Sequence, residues 1–175
     1  MREGGFPDPD EPLDESGSRK ATAVPIRPVP DLVFTAPALA ARQTADVLGY
    51  VAAVEPALAD MDWGAWRGRR LVDLVETDSE AVMAWIDAPA FGTPSGESFV
   101  DILDRVSVWM EDRAASEARI LAVTHPNILR AALAHALGLA PEAAFRIDVP
   151  PLATLVLSFN GVWRFQGLSV DGTDA

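Results

Sequence analysis

The sequence predicts an α/β fold built on a mostly parallel sheet, because two short apolar runs each pass directly into a helical repeat. Leu32-Val-Phe34 is followed from Pro37 by Leu39, Ala41, Thr44, Ala45 and Leu48, with Gly49 as the stop. Residues 120–123 form the second run, which is apolar and partly β-branched. After it, Pro126 stands where a helix has its first residue, and Ile128, Leu129, Leu133 and Leu137 continue at helical spacing until Gly138 and Pro141. The second run stops at a polar pair, Thr124-His125. A turn of this kind lies at the carboxyl end of a parallel strand, where ligands bind and where a helix start favours an anion. His125 is therefore the first candidate functional residue, and a histidine that merely caps the turn is the plainer alternative.

At 175 residues the chain is expected to form one domain over residues 1–175, with a loop-rich N-terminal segment (1–30) and a polar tail (169–175). The formal charge of −12 and the pI near 4.4 argue against nucleic-acid or anionic-membrane partners. An anionic ligand would need a local basic pocket, and thirteen of the fourteen basic residues are arginine, which binds phosphate or carboxylate bidentately. Without cysteine there is no disulfide, thiolate metal site or Cys nucleophile. The two histidines, His125 and His135, are ten residues apart on one predicted helix, about 15 Å of rise, so they cannot share a metal there. No metal or cofactor is expected. No apolar run approaches membrane-spanning length and the first residues do not resemble a signal peptide, so a cytoplasmic location is expected.

Residues 1–17 hold only Phe6 and Leu13 as apolar anchors and read as loop; Ser16 or Ser18 could cap a short helix before Pro25, Pro28 and Pro30. Residues 51–54 are a second strand candidate. Residues 58–68 read as a structured loop, since a helix would not keep Gly64 and Gly68, and Trp63 and Trp66 pin it to the core. Its carboxylates, Asp60 and Asp62, are each either a proton donor beside the tryptophans or a solvated turn cap. Residues 71–76 and 81–86 read as helical, and residues 89–98 as a turn-rich connection. Phe99, Ile102, Leu103, Val106, Trp109 and Met110 mark a long amphipathic helix whose stripe is core. Residues 154–159 and 162–166 read as a hairpin turning on Asn160-Gly161.

Four blocks in series then resemble the histidine phosphatase superfamily, the phosphoglycerate mutase-like group. They are Ala36-Pro-Ala-Leu-Ala-Ala-Arg-Gln-Thr-Ala45, Asp60-Met-Asp-Trp-Gly-Ala-Trp-Arg-Gly68, Ser95-Gly-Glu-Ser98 and Val123-Thr-His-Pro-Asn-Ile-Leu-Arg130. The resemblance covers nearly the whole chain and implies a three-layer α/β/α sandwich. It also implies phosphomonoester hydrolysis. One histidine attacks phosphorus, a second histidine and arginines hold the phosphoryl oxygens, and an acid protonates the leaving oxygen. His125 matches the second histidine and Asp60 the acid, in place of the commoner Glu. With the end of the Leu32-Val-Phe34 strand as the pocket floor, Thr35, Arg42, Thr124 and Asn127 are the candidate substrate contacts.

The departures are specific. The family's nucleophile lies in an Arg-His-Gly motif on a first strand, for which this sequence has no counterpart, Met1 standing at about the point where that strand would have ended. Ala40 stands where the family has its pocket arginine, and Arg42 is about 200° further round the helix. Pro126-Asn127 replaces Gly-Gly, removing one backbone N–H from the anion site. Three readings stay open: a phosphatase whose first strand is supplied from elsewhere, a pseudo-enzyme that binds a ligand or partner, and different acid–base chemistry using His125 and Asp60. The expected ligand is a small phosphorylated or otherwise anionic molecule, and if the first strand is absent a homodimer or swapped segment is expected to repair the sheet edge.

Overall fold

The computed structural model describes residues 4–169 of the chain. The first helix, α1 (Glu15–Thr22), is capped by Asp14, whose carboxylate accepts the Gly17 amide, so the cap precedes both serines. Strand β1 (Leu32–Thr35) leads into α2 (Leu39–Val47), and Gly49 at φ +84° turns the chain out of the helix. Strand β2 keeps only Ala53–Val54 of the four residues expected, and Val51 is fully exposed. Two short helices, α3 (Leu71–Thr77) and α4 (Ser79–Asp87), precede the long α5 (Phe99–Ala114). Ser98 and Asp101 close a capping box at the start of α5. Then come β3 (Ile120–Val123), α6 (Pro126–Leu137), the single turn α7 (Pro141–Ala144), β4 (Thr154–Phe159) and β5 (Trp163–Ser169). Residues 170–175 of the polar tail lie outside the described residues, whereas Ser169 ends β5.

The parallel sheet has the order β2-β1-β3, with Thr35 opposite both Val54 and Val123. The step from β1 to β2 crosses the sheet one way through α2, and the step from β2 to β3 returns past β1 through α5. Right-handed crossovers in opposite directions put α2 and α5 on opposite faces, which builds the α/β/α sandwich. Strands β4 and β5 pair antiparallel as a second sheet, and among the described residues neither is hydrogen-bonded to β3. Every residue of β3 is only half-buried, unlike the central strand of a complete α/β sheet. Both β3 and the hairpin therefore keep an unpaired edge among the described residues.

The N-terminal segment is more ordered than its composition suggests. Phe6 is 6% exposed and sits 5.1 Å from the Trp63 ring, 5.0 Å from Trp66 and 5.3 Å from Trp85. Its amide donates to Arg69 O and its carbonyl accepts from Gly68 N, so one aromatic anchor straps residues 4–6 onto the tryptophan loop.

The hairpin is tied to the helices through Glu111. One carboxylate oxygen lies 2.6 Å from His135 Nε2 and accepts Trp163 Nε1 at 2.9 Å. The His135 contact, then Trp163, holds Glu111 below its ordinary range. Asp31, Asp62, Asp73 and Asp101 are lowered likewise by hydrogen bonds. A group lowered in the folded state contributes stability that is complete above its unfolded pKa, about 4, and is lost as pH falls through the folded value. Melting temperature is therefore expected to fall below about pH 4, and Glu111→Gln should flatten that acid limb. Parallel melting curves from pH 3 to 7 check it, and an unchanged limb in the variant counts against the tie.

Candidate active site

The site is built at the carboxyl ends of β1 and β3. Because Thr35 and Val123 are in register, Ala36 N donates to Val123 O at 2.9 Å and the residues just beyond both strands are neighbours. Thr35 is buried, with its hydroxyl on Ala36 O. Thr124 Oγ1 donates to Leu58 O at 2.7 Å, which pulls the start of the tryptophan loop over the strand end. His125 is the N-cap residue of α6 in extended conformation, but its side chain makes no cap hydrogen bond. The ring is free to face the loop instead.

There it meets Asp60: His125 Nδ1 lies 3.8 Å from Asp60 Oδ2, with the side chains 20% and 17% exposed. That distance is an ion-pair approach, too long for a direct hydrogen bond. His125 Nε2 is buried and has no hydrogen-bond partner among the described residues, so one ring nitrogen is uncommitted. Asn127 Nδ2 donates to the other Asp60 oxygen at 3.3 Å, and Arg130 Nη1 donates to Asn127 Oδ1 at 3.0 Å. Arg130 is fixed by Nε on Ile147 O and by the Phe145 ring beneath its guanidinium. Burial lowers its pKa, while Asp148 and Asp60 act the other way. A four-residue chain thus runs from imidazole to carboxylate to carboxamide to guanidinium.

Asp62 takes the other role open to the loop carboxylates. Its Oδ1 accepts Gly64 N and Arg67 Nη2, and these two bonds hold it below the usual carboxylate range. It is a turn cap, and Asp60 alone of the pair faces the histidine. Of the sequence candidates, His125, Asp60 and Asn127 are brought together directly. Thr35 and Thr124 border them as buried or half-buried hydroxyls already committed to backbone oxygens. Arg42 is exposed on α2, and among the described residues no hydrogen bond or ion pair joins it to the others. Its place is consistent with the 200° offset from Ala40 read in the sequence.

Sequence reasoning did not single out Arg130 as a site residue, although the last of the four blocks ends on it. Its spacing from Asn127 was the available signal, since residues three apart share a helix face. Two surface grooves, of about 560 Å³ between α5 and the residues Glu55 and Ala57 and about 270 Å³ beside Leu13 and Gln43, are lined by neither His125 nor Asp60.

A strand-end histidine thus faces a loop carboxylate on a parallel α/β sheet, with a half-buried arginine behind. The sequence matches the Histidine phosphatase superfamily (branch 1) over residues 5–169, and the chain belongs to that family. The fold agrees. The alpha-ribazole phosphatase from Shigella flexneri superposes with a TM-score of 0.81 at 23% identity, over 94% of this chain and 88% of that one. A mycobacterial glucosyl-3-phosphoglycerate phosphatase, Rv2419c, solved with VO3, gives 0.81 at 23% identity over 93% and 90%. In sequence, the bifunctional protein Rv2228c of Mycobacterium tuberculosis is 30% identical over 112 residues, 60% of this chain, and the match spans only 29% of that protein's length. Among the described residues no helix is long and apolar enough to cross a membrane.

Proposed function

We propose that the chain is a cytoplasmic, single-domain phosphomonoester-binding unit of the histidine phosphatase type. His125 holds a phosphoryl oxygen through its uncommitted Nε2 and Asp60 gives a proton to the leaving oxygen. The observation that carries this reading is the approach of His125 to Asp60 at the strand ends, with Nε2 left over. Supporting it, the neighbouring mycobacterial phosphatase has been solved with VO3 and with inorganic phosphate. His135, the only other histidine in the sequence, is committed to Glu111. The attacking group is therefore proposed to arrive on a further strand paired to the free edges of β3 and the hairpin. A second copy of this chain carries no further histidine, so a homodimer would cover those edges without supplying the attacking group, and sedimentation of the 175-residue chain tests for it.

The test separates binding from turnover. Orthovanadate or inorganic phosphate is expected to raise the melting temperature of the chain, the stabilisation reaching about 2.7 kcal/mol at a hundredfold excess over Kd. His125→Ala should abolish the shift. Where the chain also hydrolyses an aryl phosphate, His125→Ala is expected to lower kcat by about 10²–10⁴-fold. Absence of any phosphate- or vanadate-dependent shift sinks the proposal. Ala40 at the pocket-arginine position favours a second reading, a binding pseudo-enzyme, in which the shift appears and is lost with His125 but no preparation turns over.

A further inference from the structure

The loop that carries Asp60 is held from below by a pair of side chains with no assigned role. Arg105, on α5, donates Nη1 to Ala57 O at 2.6 Å and Nη2 to Asp60 O at 3.2 Å. The same guanidinium is paired with Glu97 through Nε at 3.1 Å and Nη2 at 3.1 Å. Glu97 in turn grips the loop two residues further on: its Oε2 accepts Asp62 N, and its own amide donates to Asp62 O, each at 2.9 Å. The two side chains are 22% and 28% exposed. Backbones meet here without room for side chains, since a Cβ on Gly96 would lie 2.4 Å from Asp62 O. Thr93 Oγ1 adds a bond to Trp63 O at 2.7 Å.

We propose that Glu97 and Arg105 are positioning residues that set how far Asp60 reaches toward His125. The inference rests on the reading of Asp60 as the proton donor. Aspartate is one methylene shorter than the glutamate commoner in the family, so its backbone must come nearer the substrate to serve, and it must stay there. An exposed ion pair contributes little by itself. This pair instead spends two of its donors on loop carbonyls, one of them belonging to Asp60, and anchors them to a helix of sixteen residues. Proton transfer and orientation are sensitive to displacements of well under an ångström, so a guanidinium fork that fixes the donor's own carbonyl acts on chemistry through geometry. Lysine cannot reproduce the fork.

With only two histidines in the sequence, imidazole NMR gives an internal control. Asp60→Asn is expected to move the Cε1–Hε1 peak of His125 and leave that of His135 in place. Arg105→Met should move the same peak, as should Glu97→Gln, which keeps the side-chain volume and guards against a variant that fails to fold. If Asp60→Asn moves the peak while both Arg105→Met and Glu97→Gln leave it unchanged, the positioning role is overturned and the site reading stands. If Asp60→Asn leaves it unchanged, the His125–Asp60 pairing fails and the positioning role falls with it. In a preparation that hydrolyses aryl phosphates, Arg105→Met is expected to lower kcat for phenyl phosphate at least about tenfold. For p-nitrophenyl phosphate, whose leaving group needs no proton, kcat should change far less, with KM preserved on both. Equal losses on the two substrates mark Arg105 as merely structural and overturn the proposal.

Discussion

Trp66→Ala is expected to cost about 3–5 kcal/mol of stability, the range for emptying a large aromatic from a core that cannot collapse around the hole. Trp66 is 1% exposed and closes the 3₁₀ turn Gly64–Trp66. Its ring lies 5.0 Å from Phe6 and 6.0 Å from Trp85. The walls of the hole come from three separate elements, the N-terminal strap, the loop itself and α4, and none of them can move inward without releasing the others. In a domain of this size such a loss lowers the melting temperature by on the order of 10 °C. Phe91→Ala is the control: Phe91 is 79% exposed, and its truncation should stay within about 0.5 kcal/mol. Urea unfolding of the three proteins decides it, and a Trp66→Ala loss below about 1 kcal/mol would show that the aromatic box is not packed as described.

Gly64→Ala is expected to cost roughly 2–5 kcal/mol, adding left-handed backbone strain to a steric clash. Gly64 has φ +52°, and a Cβ there would lie 2.4 Å from Pro94 O and 2.5 Å from Gly96 N. Both obstacles are backbone, so no rotamer change relieves them. The substitution must push the Asp60 loop off the 93–97 turn. Gly138 separates the two contributions: its φ is +63°, yet a Cβ there meets nothing within 4 Å. Gly138→Ala should therefore show only the backbone strain, about 1–2 kcal/mol. Comparable losses at the two glycines, measured from denaturation midpoints, would remove the case for a tightly apposed loop pair. A loss confined to Gly64→Ala, together with weakened vanadate binding, ties that apposition to the site.

Much of the site's outline is legible in the sequence because it is local. The Ile120–Val123 run, Pro126 at the first helical position and Gly138 in the left-handed cap announce strand, turn and helix within nineteen residues, and so they place His125 at a strand end. The tryptophan loop is likewise legible, since glycines at 64 and 68 exclude a continuous helix. The N-terminal segment was harder, because Phe6 is one aromatic in a polar stretch and only its three partners on two distant elements make it core. Nor could residue types alone say which of Asp60 and Asp62 faces the histidine.

Residue order is enough for the class of fold, the parallel strand-to-helix units, the family, and a histidine at the carboxyl end of a strand. These depend on hydrophobic period, on helix breakers and on short motifs, all of which act over a few residues. Tertiary structure alone decided that Asp62 caps its own turn while Asp60 turns to His125. It also decided that Arg130 stands behind Asn127, and that Arg105 reaches 45 residues back to hold the Asp60 carbonyl. Those outcomes depend on where α5 and α6 pack against the loop, and burial of the helices' apolar stripes, rather than any feature near the carboxylates in sequence, sets that distance.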